Sequence, residues 1–206
     1  MKKKITLLLS LVLAVAIGIG GTLAWLTDKT EEVKNTFTVG NINITLTEEA
    51  GGDTKEFKMV PGQTIAKDPK VTVKAGSEAC WLFVKIAESD NLDDFISYAV
   101  DLSEDSWKEL SGVPGVYYRE VAASDTDQNF DVIGYQSGES ATFTANKVLV
   151  KDSVTKAMMD AFDTDKDGTL SDTEKAALPT LTFTAYAVQK DGLTDVADAW
   201  KEVPTT

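Results

Sequence analysis

Between positions 163 and 174 the chain sets oxygen-bearing side chains at alternating positions: Asp163, Asp165 and Asp167, then Gly168, Thr169, Ser171 and Glu174. This is the donor pattern of a twelve-residue EF-hand calcium loop. Asp163, Asp165 and Asp167 supply carboxylate oxygens, and Gly168 permits the sharp turn. Thr169 offers its backbone carbonyl, Ser171 acts directly or through water, and Glu174 closes the sphere with two oxygens. An acidic turn that only caps helices meets some of these requirements. Three alternating acids, the glycine, the apolar Leu170 and the terminal glutamate together point to calcium. EF-hands usually pair, and no second loop of this kind occurs, so weak structural binding is expected, with a dissociation constant on the order of 0.1 to 1 mM.

Other chemistry is excluded by what the sequence lacks. It contains no histidine, which rules out an HExxH zinc protease as well as Ser-His-Asp and Cys-His catalysis, since each needs an imidazole. Paired carboxylates could still do acid–base work, but with 33 acidic residues such pairs arise by chance. The expectation is therefore a protein that is not an enzyme. Cys80 is the single cysteine and lies in the apolar run Cys80-Trp81-Leu82-Phe83-Val84, so a buried, inert thiol is expected and no internal disulfide is possible. The formal charge of −13 disfavours nucleic acid and anionic lipid and attracts cations.

The elements that must hold the acidic loop are mostly strands. Asn41 to Thr47 alternates polar and apolar residues strictly, as do Val71–Lys74, Ala141–Ala145 and Leu181–Ala185. Cys80 to Ile86 is apolar on both faces apart from Lys85, which predicts a central strand covered on each side. Ile96, Tyr98 and Val100 alternate, and Val116 to Val121 forms a further aromatic strand. Gly51-Gly52-Asp53, Val60-Pro61-Gly62, Ala75-Gly76 and Pro114-Gly115 separate them as turns. Eight or nine short strands of this kind imply a mainly β, antiparallel sandwich. Asp152 to Phe162 breaks the rhythm, because Val154, Met158, Met159 and Phe162 fall on one helical face. A short exit helix from Glu174 to about Leu178 should stop at Pro179. Residues 152–178 therefore read as a helix–calcium loop–helix insertion.

The amino-terminal end has export grammar. Lys2, Lys3 and Lys4 precede an uncharged run from Ile5 to Ala24, with Gly18, Gly20 and Gly21 near its end. That predicts a signal peptide over residues 1–24, cut between Ala24 and Trp25, and one β-sandwich domain over residues 25–206. The run is about long enough to span a bilayer, so an uncleaved anchor is the competing expectation. Cleavage removes three lysines and no acids, taking the charge from −13 to −16. The expected location is secreted, in the extracellular matrix or at the cell surface, with membrane contact only before cleavage.

The segments GTLAWLTD, NTFTVGNINITLTE, MVPGQTIAKDPKVTVKAGSEACWLFVKI and LTFTAYAVQKDG resemble the TasA/camelysin family of Gram-positive exported proteins, whose signal peptides are processed by the peptidase SipW. The resemblance implies a jelly-roll sandwich and a subunit of biofilm matrix fibres. In such fibres the mature amino-terminal segment of one copy completes the sheet of the next. Residues 25–34 are then the candidate donor strand, with Trp25, Leu26 and Val33 as pocket fillers. Repetition of such a head-to-tail contact gives a homopolymer. Some relatives carry a metalloendopeptidase label, which the absence of histidine does not support here. A calcium loop departs from the usual family pattern. A monomeric calcium-binding cell-surface interaction module is the alternative reading. The final residues Val203-Pro204-Thr205-Thr206 carry no sorting motif, so non-covalent attachment or self-assembly is expected.

Overall fold

The computed structural model describes residues 27–29, 41–48, 59–136 and 142–204. The proposed cleavage pair Ala24 and Trp25, and the pocket fillers Leu26 and Val33, lie outside these residues. The described chain is mainly β, with antiparallel pairing throughout. Its early strands are β1 (Thr27–Lys29), β2 (Ile44–Glu48), β3 (Thr64–Ala66), β4 (Pro69–Val73) and β5 (Cys80–Glu88). After the one-turn helix α1 (Leu92–Phe95) come β6 (Ile96–Ser97), β7 (Ala99–Val100), β8 (Lys108–Glu109) and β9 (Val116–Val121). Next are β10 (Gln128–Asp131), β11 (Ile133–Tyr135), β12 (Thr144–Ala145) and β13 (Lys147–Val150). Helices α2 (Lys156–Asp160) and α3 (Asp172–Lys175) precede β14 (Leu181–Gln189), and α4 (Val196–Lys201) ends the described fold.

The main sheet has the order β1-β14-β5-β9-β8, and among the described residues there are three smaller sheets, β10-β4-β2, β12-β11-β7 and β3-β13-β6. Period-2 alternation decides what each face of the main sheet meets. Leu82 and Val84 of β5 and Phe183 and Ala185 of β14 join Ile44, Val71, Val73, Ile133 and Val148 from the smaller sheets in one apolar cluster. The intervening residues Trp81, Phe83, Tyr186 and Val188 point the other way, onto Leu110, Ala199 and Val203. There Trp200 of α4 packs 5.2 Å from Phe83 and edge-on at 5.8 Å from Tyr186. β5 is thus a central strand covered on both faces over residues 80–84, as its apolar run predicts, and Cys80 is fully buried within it. Burial alone pushes the Cys80 thiol up to about 12, so it is neutral and unreactive. Gly134 is fixed by space: a Cβ there would lie 2.4 Å from the Phe143 ring.

Four sequence expectations change in the structure, the first being the exit helix, which spans Asp172–Lys175 rather than Glu174 to about Leu178. Ile96–Val100 is not one strand but two short pieces in different sheets, with Tyr98 between them. Ala141–Ala145 is reduced to Thr144–Ala145, because Thr142 and Phe143 lie outside any strand and Ala141 is outside the described residues. The helix expected over residues 152–162 is confined to Lys156–Asp160, since Thr155 takes an extended conformation and caps it, its Oγ1 accepting from Met158 N. Among the described residues no helix is long and apolar enough to cross a membrane.

The amino-terminal strand is the outermost member of the main sheet. Within this chain β1 pairs antiparallel with β14, in the register Thr27–Val188, Asp28–Ala187 and Lys29–Tyr186. A three-residue ladder contributes only on the order of 1–4 kcal/mol.

Candidate metal centre

The acidic loop is tied to the rest of the fold at both ends. On the entry side the Phe162 ring packs 5.4 Å from Phe95, within a cluster that includes Val150, Val154, Met158 and Met159. On the exit side Asn91 Nδ2 donates to Ala177 O at 3.0 Å, and Thr180 N donates to Ser89 Oγ at 2.8 Å. The apolar face read from the sequence therefore does pack, although the helix carrying it is short.

Inside the loop, backbone N–H groups converge on carboxylates. Gly168 N donates to Asp163 Oδ2 at 2.9 Å, and Asp167 N reaches Asp163 Oδ1 and Asp165 Oδ1, both at 3.2 Å. That wrapping needs two left-handed residues, Lys166 at φ 58° and Gly168 at φ 85°, and the second explains the glycine. Carboxylate oxygens of Asp163, Asp165 and Glu174 all lie within 4.8 Å of one another. Two oxygens on opposite sides of a calcium ion stand about 4.6–5.2 Å apart, so these three carboxylates fit one ion of that size. An all-oxygen, anionic donor set suits a hard divalent cation rather than a soft metal.

The remaining predicted ligands stand beside this cluster, engaged with other loop atoms. Asp167 Oδ1 accepts from Thr169 N at 2.8 Å and from Thr169 Oγ1 at 2.7 Å. Ser171 forms a capping box with Glu174 at the start of α3: Glu174 Oε2 accepts from Ser171 N at 2.9 Å and Ser171 Oγ at 2.7 Å. Glu174 Oε1 accepts from both the N–H and the hydroxyl of Thr164, each at 2.6 Å.

The Thr164 and Ser171 hydroxyls, followed by the two backbone N–H groups, hold Glu174 down at about 2, with burial opposing only weakly. Although Glu174 has little solvent contact, it sits on a thin superficial loop, so hydrogen bonding outweighs desolvation. Four donors fill the roughly four acceptor positions of a carboxylate. A bound ion would have to displace some of them. Thr164 is the site residue that the spacing argument missed; its signal was a hydroxyl residue adjoining the first loop aspartate.

The fold and site define a mainly β protein of antiparallel sheets with an acidic, metal-competent loop. Residues 1–91 match the family described as Camelysin metallo-endopeptidase, and over those residues the resemblance to the TasA/camelysin family is shown. The match spans the amino-terminal apolar run and the chain through β5, and it ends well before the loop at 163–174. No curated protein and no solved structure is significantly similar to the chain.

Proposed function

We propose that the protein is an exported structural subunit, cleaved after Ala24, that polymerises into extracellular matrix fibres and carries a structural calcium ion in the loop 163–174. The observation that carries this reading is the position of β1. It is a three-residue strand at the rim of the main sheet, paired among the described residues with β14 alone. Pairing that is short and peripheral costs little to exchange. If the same segment of a neighbouring copy took this place on β14, the result would be donor-strand assembly, and repetition would give an open filament. The jelly-roll description belongs to the same proposal, supported by the family match and by a core packed between antiparallel sheets.

Calcium is the ion proposed because the loop combines the EF-hand spacing with three carboxylates close enough to share one cation. The family's printed description names a metallo-endopeptidase. A peptidase built here would have to work without any imidazole, which is why the structural role is favoured. Purified mature protein should leave a denatured protein substrate uncut in calcium or zinc. A second reading, a monomeric calcium-binding surface module, is favoured by the loop's independence of β1. Negative-stain images of mature protein with and without residues 25–34 separate the two. The fibre reading expects filaments from the first and a folded monomer from the second; monomers from both leave the surface module.

A further inference from the structure

We propose that the cavity between the end of β5, α1, β6, β7 and β9 is a binding site for an alkylammonium group, the charged end of a lysine side chain or of an amino sugar. The cavity is an open cleft of about 280 Å³ lined by Glu88, Leu92, Asp93, Ile96, Tyr98 and Tyr117 among others. It is separate from the acidic loop and shares none of its residues.

Three features fit this ligand class. The first is charge. Asp93 is neutralised by Lys151 at 2.6 Å, whereas among the described residues no lysine or arginine is paired with Glu88 or with Glu109 on the neighbouring strand β8. Glu88 instead accepts a hydrogen bond from the Tyr98 hydroxyl. The second feature is the pair of phenol rings. Burial first, then the nearby Glu88, raises the Tyr98 pKa, and burial with Glu109 and Glu88 raises that of Tyr117. Both rings therefore stay neutral, and two neutral phenol rings beside a carboxylate with no cationic partner are the surroundings in which cation–π contact can add to charge attraction. The third feature is the wall formed by buried Leu92 and half-buried Ile96, which suits an aliphatic stem.

The test uses the mature chain with its tyrosine rings followed by NMR. The probes are Nα-acetyl-lysine methylamide and glucosamine, each against its neutral counterpart, Nα-acetyl-norleucine methylamide and glucose. The Tyr98 and Tyr117 ring signals should move with an ammonium probe, with a dissociation constant on the order of 1–10 mM, and the neutral counterpart should bind at least about fivefold more weakly. Movement with only one ammonium probe identifies the source, peptide or amino sugar. Glu88→Gln should weaken binding about fivefold or more, while Tyr98→Phe, which keeps the ring, should retain it. Absence of any shift at about 50 mM probe, equal binding of the neutral counterparts, or an unaffected Glu88→Gln protein would each overturn the proposal.

Discussion

The paired strands β5 and β14 and the loop 163–174 are held together by opposite physics. Along β5 and β14 nine consecutive residue pairs are in register, and the stretches 80–84 and 185–188 are buried on both faces. The loop has few apolar contacts of its own; its shape is set by N–H and hydroxyl groups converging on carboxylates that repel one another. Burial of apolar surface is indifferent to ions and acid, whereas an array of carboxylates responds to both. One molecule thus joins a frame that should ignore its medium to a loop that should sense it.

The largest expected effect breaks the frame. Leu82→Ala opens a cavity in a fully buried position and should cost about 2–5 kcal/mol, lowering the melting temperature by roughly 5–15 °C. Calcium should not rescue it selectively: the increment from added calcium should equal that of the parent protein in parallel melts. The next effect sharpens the contrast. At a calcium concentration about ten times the dissociation constant, mass action should add about 1.4 kcal/mol, or roughly 3–6 °C. Glu174→Gln should lose that gain, and any drop in its calcium-free melt reflects the hydrogen bonds lost within the loop, since the apolar core is untouched. If the mutant gains as much as the parent protein, the loop is only an acidic turn.

Smaller effects lie within the loop itself. Ser171→Ala removes the α3 cap and should destabilise the exit helix by about 1 kcal/mol, seen as faster amide exchange at residues 172–176 with little change in the global melt. Acid should act on the same segment. Folding lowers the Glu174 pKa from 4.5 to about 2, so its stabilising contribution is complete above pH 4.5 and is lost as pH falls through about 2. Amide signals of Thr164 and Ser171 should therefore move across that window in calcium-free protein, and a transition centred near the ordinary glutamate value would contradict the hydrogen-bond network. Smallest of all, Thr164→Val removes a hydroxyl competing for Glu174 and should tighten calcium by about 0.5–1 kcal/mol in calorimetric titration.

How far the sequence disclosed this depended on the length of each pattern. β5 and β14 are nine residues each, long enough for two periods of alternation or an unbroken apolar run to be unmistakable. β3, β8, β10, β11 and β13 hold two to four residues, too few to show a period, and their pairing is decided by tertiary contacts. α4 was legible in principle: Asp195 caps it, and Val196, Ala199, Trp200 and Val203 follow helical spacing. At the loop, spacing identified the carboxylates but not their partners, because hydrogen bonds from Thr164 and Ser171 depend on backbone conformation rather than residue type.

The pairing of β1 with β14 is where the assembly account is most exposed. Thr27 and Val188 face each other in that register, and directly opposed antiparallel residues stand about 4.5–5.5 Å apart, within disulfide reach. A mature protein carrying Thr27→Cys and Val188→Cys, with Cys80 buried and inert, can be oxidised either as a monomer or after assembly. The account predicts that monomer oxidised first closes an internal bridge and forms no fibres until reduced, while fibres assembled first and then oxidised run as covalent multimers on a non-reducing gel. Fibres that form equally well from the internally bridged monomer, or that yield only monomers after oxidation, would contradict strand donation.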